Sequence, residues 1–138
     1  LLALAENGLS SPKGYCLETA FHPGVRNETV EALLKRPDRP TAILVSDDIL
    51  ASCLERLCLE MNLSVPKDLS IISFNNSLFS QISSPPLTSM DVNSLQLGIE
   101  AASQMISHIE NPNLMATKTI VPHHIVVRES CGPVGVDG

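Results

Sequence analysis

The chain has 138 residues, of which 43% are apolar, so it is long enough for one domain with a sizeable core and is not a disordered segment. Its net charge of −6 and scattered Lys and Arg argue against direct nucleic-acid contact, because phosphate binding needs clustered cations. No apolar run approaches the roughly 20 residues of a membrane span, and with aromatics at 3% and no Trp the core must be filled by Leu, Ile, Val and Met.

In chain order, residues 1–7 read as the tail of a helix stopped by Gly8. No cap precedes it, so the chain is expected to start mid-element, as a fragment would. Nor does it carry the basic start and small-residue cleavage site of a secretion signal. Residues 14–21 read as a strand, with His22-Pro23-Gly24 as the turn after it. Asn27 can cap a helix carrying Val30, Leu33 and Leu34, which ends before Pro37. Lys35, Arg36 and Arg39 then read as a solvated helix end. Residues 41–45 are a continuous apolar run, the pattern of a strand covered on both faces, and they lead into Asp47-Asp48. Residues 49–61 are amphipathic, with Ile49, Leu50, Cys53, Leu54, Leu57, Cys58 and Met61 on one stripe. A turn at residues 65–68 leads to a strand at 69–74 that runs into Asn75-Asn76. This βαβα order predicts an α/β fold: a parallel sheet with right-handed crossovers, flanked by helices.

Residues 77–86 read as a polar, proline-ended loop, and 87–92 as a short extended run. Asn93 with Gln96 resembles a capping pair opening a helix over 93–110, with Leu95, Ile99, Ala102, Ile106 and Ile109 on its stripe. Residues 118–128 are β-rich, but Pro122 cannot donate to a ladder, so they form an edge strand or two strands broken there. Residues 1–131 make one domain and 132–138 a frayed tail. Cys16, Cys53, Cys58 and Cys131 form no metal-binding spacing, and His123 and His124 point to opposite faces of one strand. No metal and no cofactor are expected, and the cysteines suit a reduced, cytoplasmic protein.

Polar residues thus end two neighbouring strands, at Asp47 and at Asn75. Open α/β sheets bind ligands at that edge, and this pattern suits a hydroxyl-rich small molecule. Asp47 is either a helix cap or a carboxylate that accepts from adjacent hydroxyls. Asn75 is either a turn residue or an amide on the ligand. An alternative is a Mg²⁺-dependent enzyme using the Asp47/Asp48 pair, although no Gly-rich loop, Lys-ended strand or nucleophile elbow accompanies it. A third reading is an exported sugar receptor.

Four ordered segments carry a resemblance. They are Pro40-Thr-Ala-Ile-Leu-Val-Ser-Asp-Asp-Ile-Leu-Ala51, Val65-Pro-Lys-Asp-Leu-Ser-Ile-Ile-Ser-Phe-Asn75, Pro85-Pro-Leu-Thr-Ser-Met-Asp91 and Lys118-Thr-Ile-Val-Pro-His-His-Ile-Val-Val-Arg-Glu-Ser130. Together they resemble the C-terminal half of the lac/gal-repressor family of bacterial sugar-responsive regulators, and the Phe74-Asn75-Asn76 version looks most like maltose-operon repressors. The resemblance implies a truncated lobe of the type I periplasmic-binding-protein-like fold. It also implies a sugar effector and a homodimer, with operator DNA read only by a helix-turn-helix that this chain does not contain. Ligand contacts would fall on Phe21, Asp47, Asn75 and Asp91, with Asp48 structural. The family's dimer face would involve Ser52, Leu54, Glu55, Leu78, Phe79 and Ile82, and helix 93–110 would belong to the crossover with the other lobe. Without that lobe, its stripe calls for self-association or a rearranged helix.

Overall fold

A computed structural model describes residues 2–18 and 27–133. Its elements in chain order are α1 (Leu2–Glu6), α2 (Glu28–Leu34), β1 (Ala42–Leu44), α3 (Asp48–Glu60), β2 (Ser70–Phe74), α4 (Leu78–Ile82), β3 (Thr88–Asp91), α5 (Ser94–Glu110) and β4 (His124–Val126). The four strands form one sheet in the order β1-β2-β3-β4. The first three are parallel, with Leu44 opposite Ile72 and Phe74 opposite Met90. β4 runs antiparallel to β3, His124 facing Asp91. The sheet is therefore mixed where a parallel one was expected. The chain returns from α5 to the edge where β3 ended, so the next strand must run back along it.

Local chemistry explains most of the elements. Gly8, at φ +69°, ends α1 in the left-handed region that glycine enters without cost. Asn27 caps α2 as expected, its Oδ1 accepting from the Val30 N–H at 3.1 Å. The buried apolar residues of α3 are Ala51, Leu54, Leu57 and Cys58, spaced to share one face. Ile49 is exposed, because two residues from Ala51 it lies on the far side of the helix. α3 packs on β2 and α4. Its stripe joins Val30, Leu34, Leu69, Ile71 and Leu87 in the core, with Ile43, Val45, Met61 and Val65 packed around it. Ser130 braces β2 to β3: it donates to the Ile71 carbonyl at 2.5 Å and accepts from the Thr88 N–H at 2.8 Å.

Several expectations are corrected. Residues 14–18 form a turn and a bend rather than a strand. The rest of that expected strand, including Phe21, and the His22-Pro23-Gly24 turn lie outside the described residues. Among the described residues β1 has β2 as its one neighbour, and Leu44 is 65% exposed, so these residues do not cover both its faces. Residues 77–86 contain the helix α4, held by the Ser77 N–H on Asp48 Oδ2 at 2.6 Å. Asn93 makes no side-chain cap; it sits at φ +52° with its N–H on Asp91 Oδ1, and Gln96 turns instead to Glu100 at 2.8 Å. Residues 118–123 are not strand, and Pro122 lies outside the edge strand β4. Gly132 is still tied to Ser70, one residue past the expected boundary of the tail. Lys35, 64% exposed at the end of α2, pairs with Glu31, so that helix end is solvated as expected; Arg36 pairs with Asp38 and stacks on Tyr15, and Arg39 donates to the Asp68 carbonyl. Along α5 no residue is buried, and Leu95, Ile99, Ile106 and Ile109 are exposed.

Candidate ligand site at the sheet edge

Parallel pairing brings the carboxyl ends of β1, β2 and β3 to one edge, so Asp47, Asn75-Asn76 and Asp91 come from distant positions to one face. His124, starting β4 in the opposite direction, joins them beside Asp91. Asp47 is the N-cap of α3, its Oδ1 accepting from the Leu50 N–H at 2.9 Å. Its Oδ2 has no partner among the described residues. The cap and ligand readings of Asp47 are therefore compatible, one oxygen for each.

Asp48 does different work one residue later. It is 1% exposed and accepts from Ser73 Oγ at 2.6 Å, Ser89 Oγ at 2.7 Å and the Ser77 N–H at 2.6 Å. Burial alone would push its pKa up. The hydrogen bonds from Ser73, Ser89 and Ser77 outweigh that and hold the carboxyl below its ordinary range. One buried carboxylate thus ties the start of α3 to β2, β3 and the loop before α4. With its oxygens so engaged, Asp48 is not free to share a Mg²⁺ with Asp47. No metal-binding cluster of His, Cys, Asp or Glu occurs among the described residues.

The two asparagines after β2 both have positive φ, +98° for Asn75 and +47° for Asn76. Asparagine tolerates this region better than most residues, and such strain concentrates at functional sites. Asn75 donates its N–H to the Met90 carbonyl at 2.9 Å, while its exposed side chain has no partner among the described residues. Asn76 is held on both sides: Nδ2 donates to Asp91 Oδ2 at 3.0 Å, and Oδ1 accepts from Arg128 Nη2 at 2.5 Å. Arg128 also donates to the Leu87 carbonyl at 2.7 Å, which fixes that arm. The Asn93 N–H and the Asn76 amide hold the Asp91 pKa below its ordinary range. Each Asp91 oxygen carries one of these donors and keeps a lone pair for a ligand hydroxyl.

The edge therefore offers a half-free carboxylate at Asp47, a free amide at Asn75 and a rigidly held carboxylate at Asp91. Asn76 and Arg128, which position Asp91, escaped sequence reading. So did Ser73 and Ser89, although a serine at the inward position of an Ile-rich strand does signal a buried partner. On the other candidate face, Ser52 Oγ donates to the Asp48 carbonyl and lies 2.7 Å from Ser83 Oγ. Glu55 is buried beside them, and Leu78, Phe79 and Ile82 are exposed on α4. Leu54 is corrected: at 2% exposure it belongs to the core and presents nothing to a partner.

Residues 2–131 match the periplasmic binding protein-like domain family. The chain is 30% identical over 134 residues to the HTH-type transcriptional repressor PurR of Glaesserella parasuis, covering 93% of this chain and 39% of that relative. Among solved structures, a LacI-type transcriptional regulator from Bacillus cereus subsp. cytotoxis superposes with TM-score 0.88 at 38% identity, over 96% of this chain and 47% of the other. A LacI family regulator from Enterococcus faecalis with bound ribose superposes with TM-score 0.72 at 29% identity, over 78% and 40% of the two chains. The chain thus spans less than half the length of each of these relatives.

Proposed function

Because the chain belongs to the periplasmic binding protein-like domain family, as part of the lac/gal-repressor type of transcriptional regulators, we propose that it is the effector-binding and dimerisation lobe of a cytoplasmic repressor of carbohydrate-use genes. The relatives are transcriptional regulators and not enzymes, and the acid-pair enzyme reading is set aside with them. The observation that carries the proposal is the triad of ligand-ready groups at the sheet edge: Asp47 Oδ2, the Asn75 amide and the held carboxylate of Asp91. Carboxylates accept from vicinal hydroxyls and an amide does both, which fits a sugar better than an apolar or anionic ligand. The ribose held by the Enterococcus faecalis regulator is a precedent in the same fold. Maltose is the first sugar to try, on the Phe74-Asn75-Asn76 strand end.

For the sugar to alter DNA affinity it must bind one lobe arrangement more tightly than another, since equal binding shifts nothing. DNA would be read by a helix-turn-helix elsewhere in the protein. The exposed Leu78, Phe79 and Ile82, with Ser52 and Glu55, would lie on the contact between two copies. The test is a thermal-shift series on the full-length protein with maltose, trehalose, sucrose, glucose and their phosphates. One sugar should stabilise the protein, and Asp47→Ala and Asn75→Ala should each weaken that effect without unfolding it. Unchanged affinity in both variants would sink the site assignment.

A further inference from the structure

The reversed direction of β4 places one more side chain on the ligand edge. Pro122 cannot donate to a ladder, so pairing begins after it, and the first residue of β4 is His124. Because β4 runs against β3, that first residue lies at the carboxyl end of β3, directly across from Asp91. Facing residues of an antiparallel pair share one face of the sheet, with Cβ atoms about 5 Å apart. His124 therefore stands beside the Asp91 carboxylate, while His123 lies outside the ladder. A slip of one residue would exchange the two, and the register is pinned. The Arg128 N–H donates to Thr88 Oγ1 at 3.0 Å. The Glu129 and Ser130 N–H groups both donate to the Pro86 carbonyl, at 3.0 and 3.1 Å. His124 is exposed, and its imidazole has no hydrogen-bond partner among the described residues.

We propose that His124 is a fourth ligand contact, its imidazole and the Asp91 carboxylate together holding two neighbouring hydroxyls of the effector from adjacent strands. This rests on the sugar reading of the edge and names a further residue that recognises it. Of the three groups already at the edge, two are carboxylates, which only accept, and Asn75 alone can donate. A sugar hydroxyl that gives its proton to a carboxylate still has lone pairs that call for a donor. The neutral imidazole supplies an N–H on one nitrogen and an acceptor on the other, and the body of its ring is apolar enough to lie against sugar C–H groups. Asp91 suits the partnership. The Asn93 N–H, the Asn76 amide and, more weakly, the charge of His124 hold its pKa below the ordinary range, so it meets the ligand as an ionised acceptor. Of the other charged groups here, Asp47 is a second acceptor. Arg128 turns its guanidinium to Asn76, Leu87 and Ser80, which leaves His124 as the side chain able to donate beside Asp91.

The test is titration calorimetry of the full-length protein with maltose, trehalose, sucrose and glucose, joined to NMR of its histidine side chains. His124→Ala changes an exposed residue and should fold; it should weaken binding of the recognised sugar about three- to tenfold. His124→Gln keeps a donor and an acceptor and should recover much of that loss, while His123→Ala should leave affinity unchanged. On sugar addition the His124 ring resonances should move and those of His108 and His123 should stay. Unchanged affinity in His124→Ala together with unmoved His124 resonances, while Asp47→Ala and Asn75→Ala still weaken binding, would overturn the contact and leave the effector site standing. A protein that binds none of these sugars would overturn both.

Discussion

α3 and α5 are both amphipathic, but the fold treats them oppositely. α3 buries Asp48, Ala51, Leu54, Glu55, Leu57 and Cys58, while α5 is longer, at 17 residues against 13, and buries none. Their starts differ in the same sense. α3 begins with an Asp47 cap and an Asp48 carboxylate tied into two strands and a loop. α5 begins at an asparagine in the left-handed region, without a side-chain cap. Periodicity states that a helix has a face to cover; it does not name what covers it. Tethering through polar groups at the helix start is what marks α3 as part of this sheet.

The sharpest way to break that contrast is Asp48→Ala. Two buried hydroxyls and one N–H would lose their shared acceptor, and α3 its tie to the sheet. We expect a loss of about 3–5 kcal/mol, read as a lower urea midpoint. The pH dependence has a definite sign. The folded pKa of Asp48 is depressed, so its contribution is present above the ordinary carboxylate range and is lost as pH falls through the depressed value. Unfolding free energy should therefore drop more steeply for the natural chain than for Asp48→Asn between about pH 5 and pH 2. Parallel curves would show that the carboxylate is not the tether.

Next in size is Leu57→Ala, which empties a site 4% exposed in the core and should cost about 2–4 kcal/mol. A cost well under 1 kcal/mol would mean that the face of α3 is no better packed than that of α5. Asp47→Ala is smaller. It removes the N-cap, a loss of about 1 kcal/mol, while ligand affinity in the full-length protein should fall more than that; an equal loss in both would reduce Asp47 to a cap.

Much of this was legible in the chain. The run ending in Asp47-Asp48 and the run ending in Asn75-Asn76 announced parallel strands and their polar edge, because continuous apolar stretches followed by caps have few other structural solutions. The Asn27 cap could be read locally as well, and α5 from the period of its apolar residues, although the Asn93–Gln96 cap expected at its start does not form. What could not be read depends on contacts between distant residues. The Asp48 carboxylate meets Ser73 and Ser89, 25 and 41 residues away, and Arg128 reaches Asn76 across 52. β4 runs antiparallel because of where α5 returns the chain. Residues 77–86 hid a helix turn because its hold on the fold is the Ser77 N–H on Asp48 and not its own propensity.

The smallest expected effect is on α5, and it tests the comparison from the other side. Ile106 is 56% exposed, so Ile106→Ser removes little buried area. The unfolding free energy of this chain should move by no more than about 0.5 kcal/mol, as for other surface changes. A cost above about 1 kcal/mol would show that the stripe is covered in solution, and a cost that grows with protein concentration would identify the cover as another copy. If the cost is small here but large in the full-length protein, α5 is covered by a region outside this chain. Its apolar face then belongs to a larger fold, just as that of α3 belongs to this sheet.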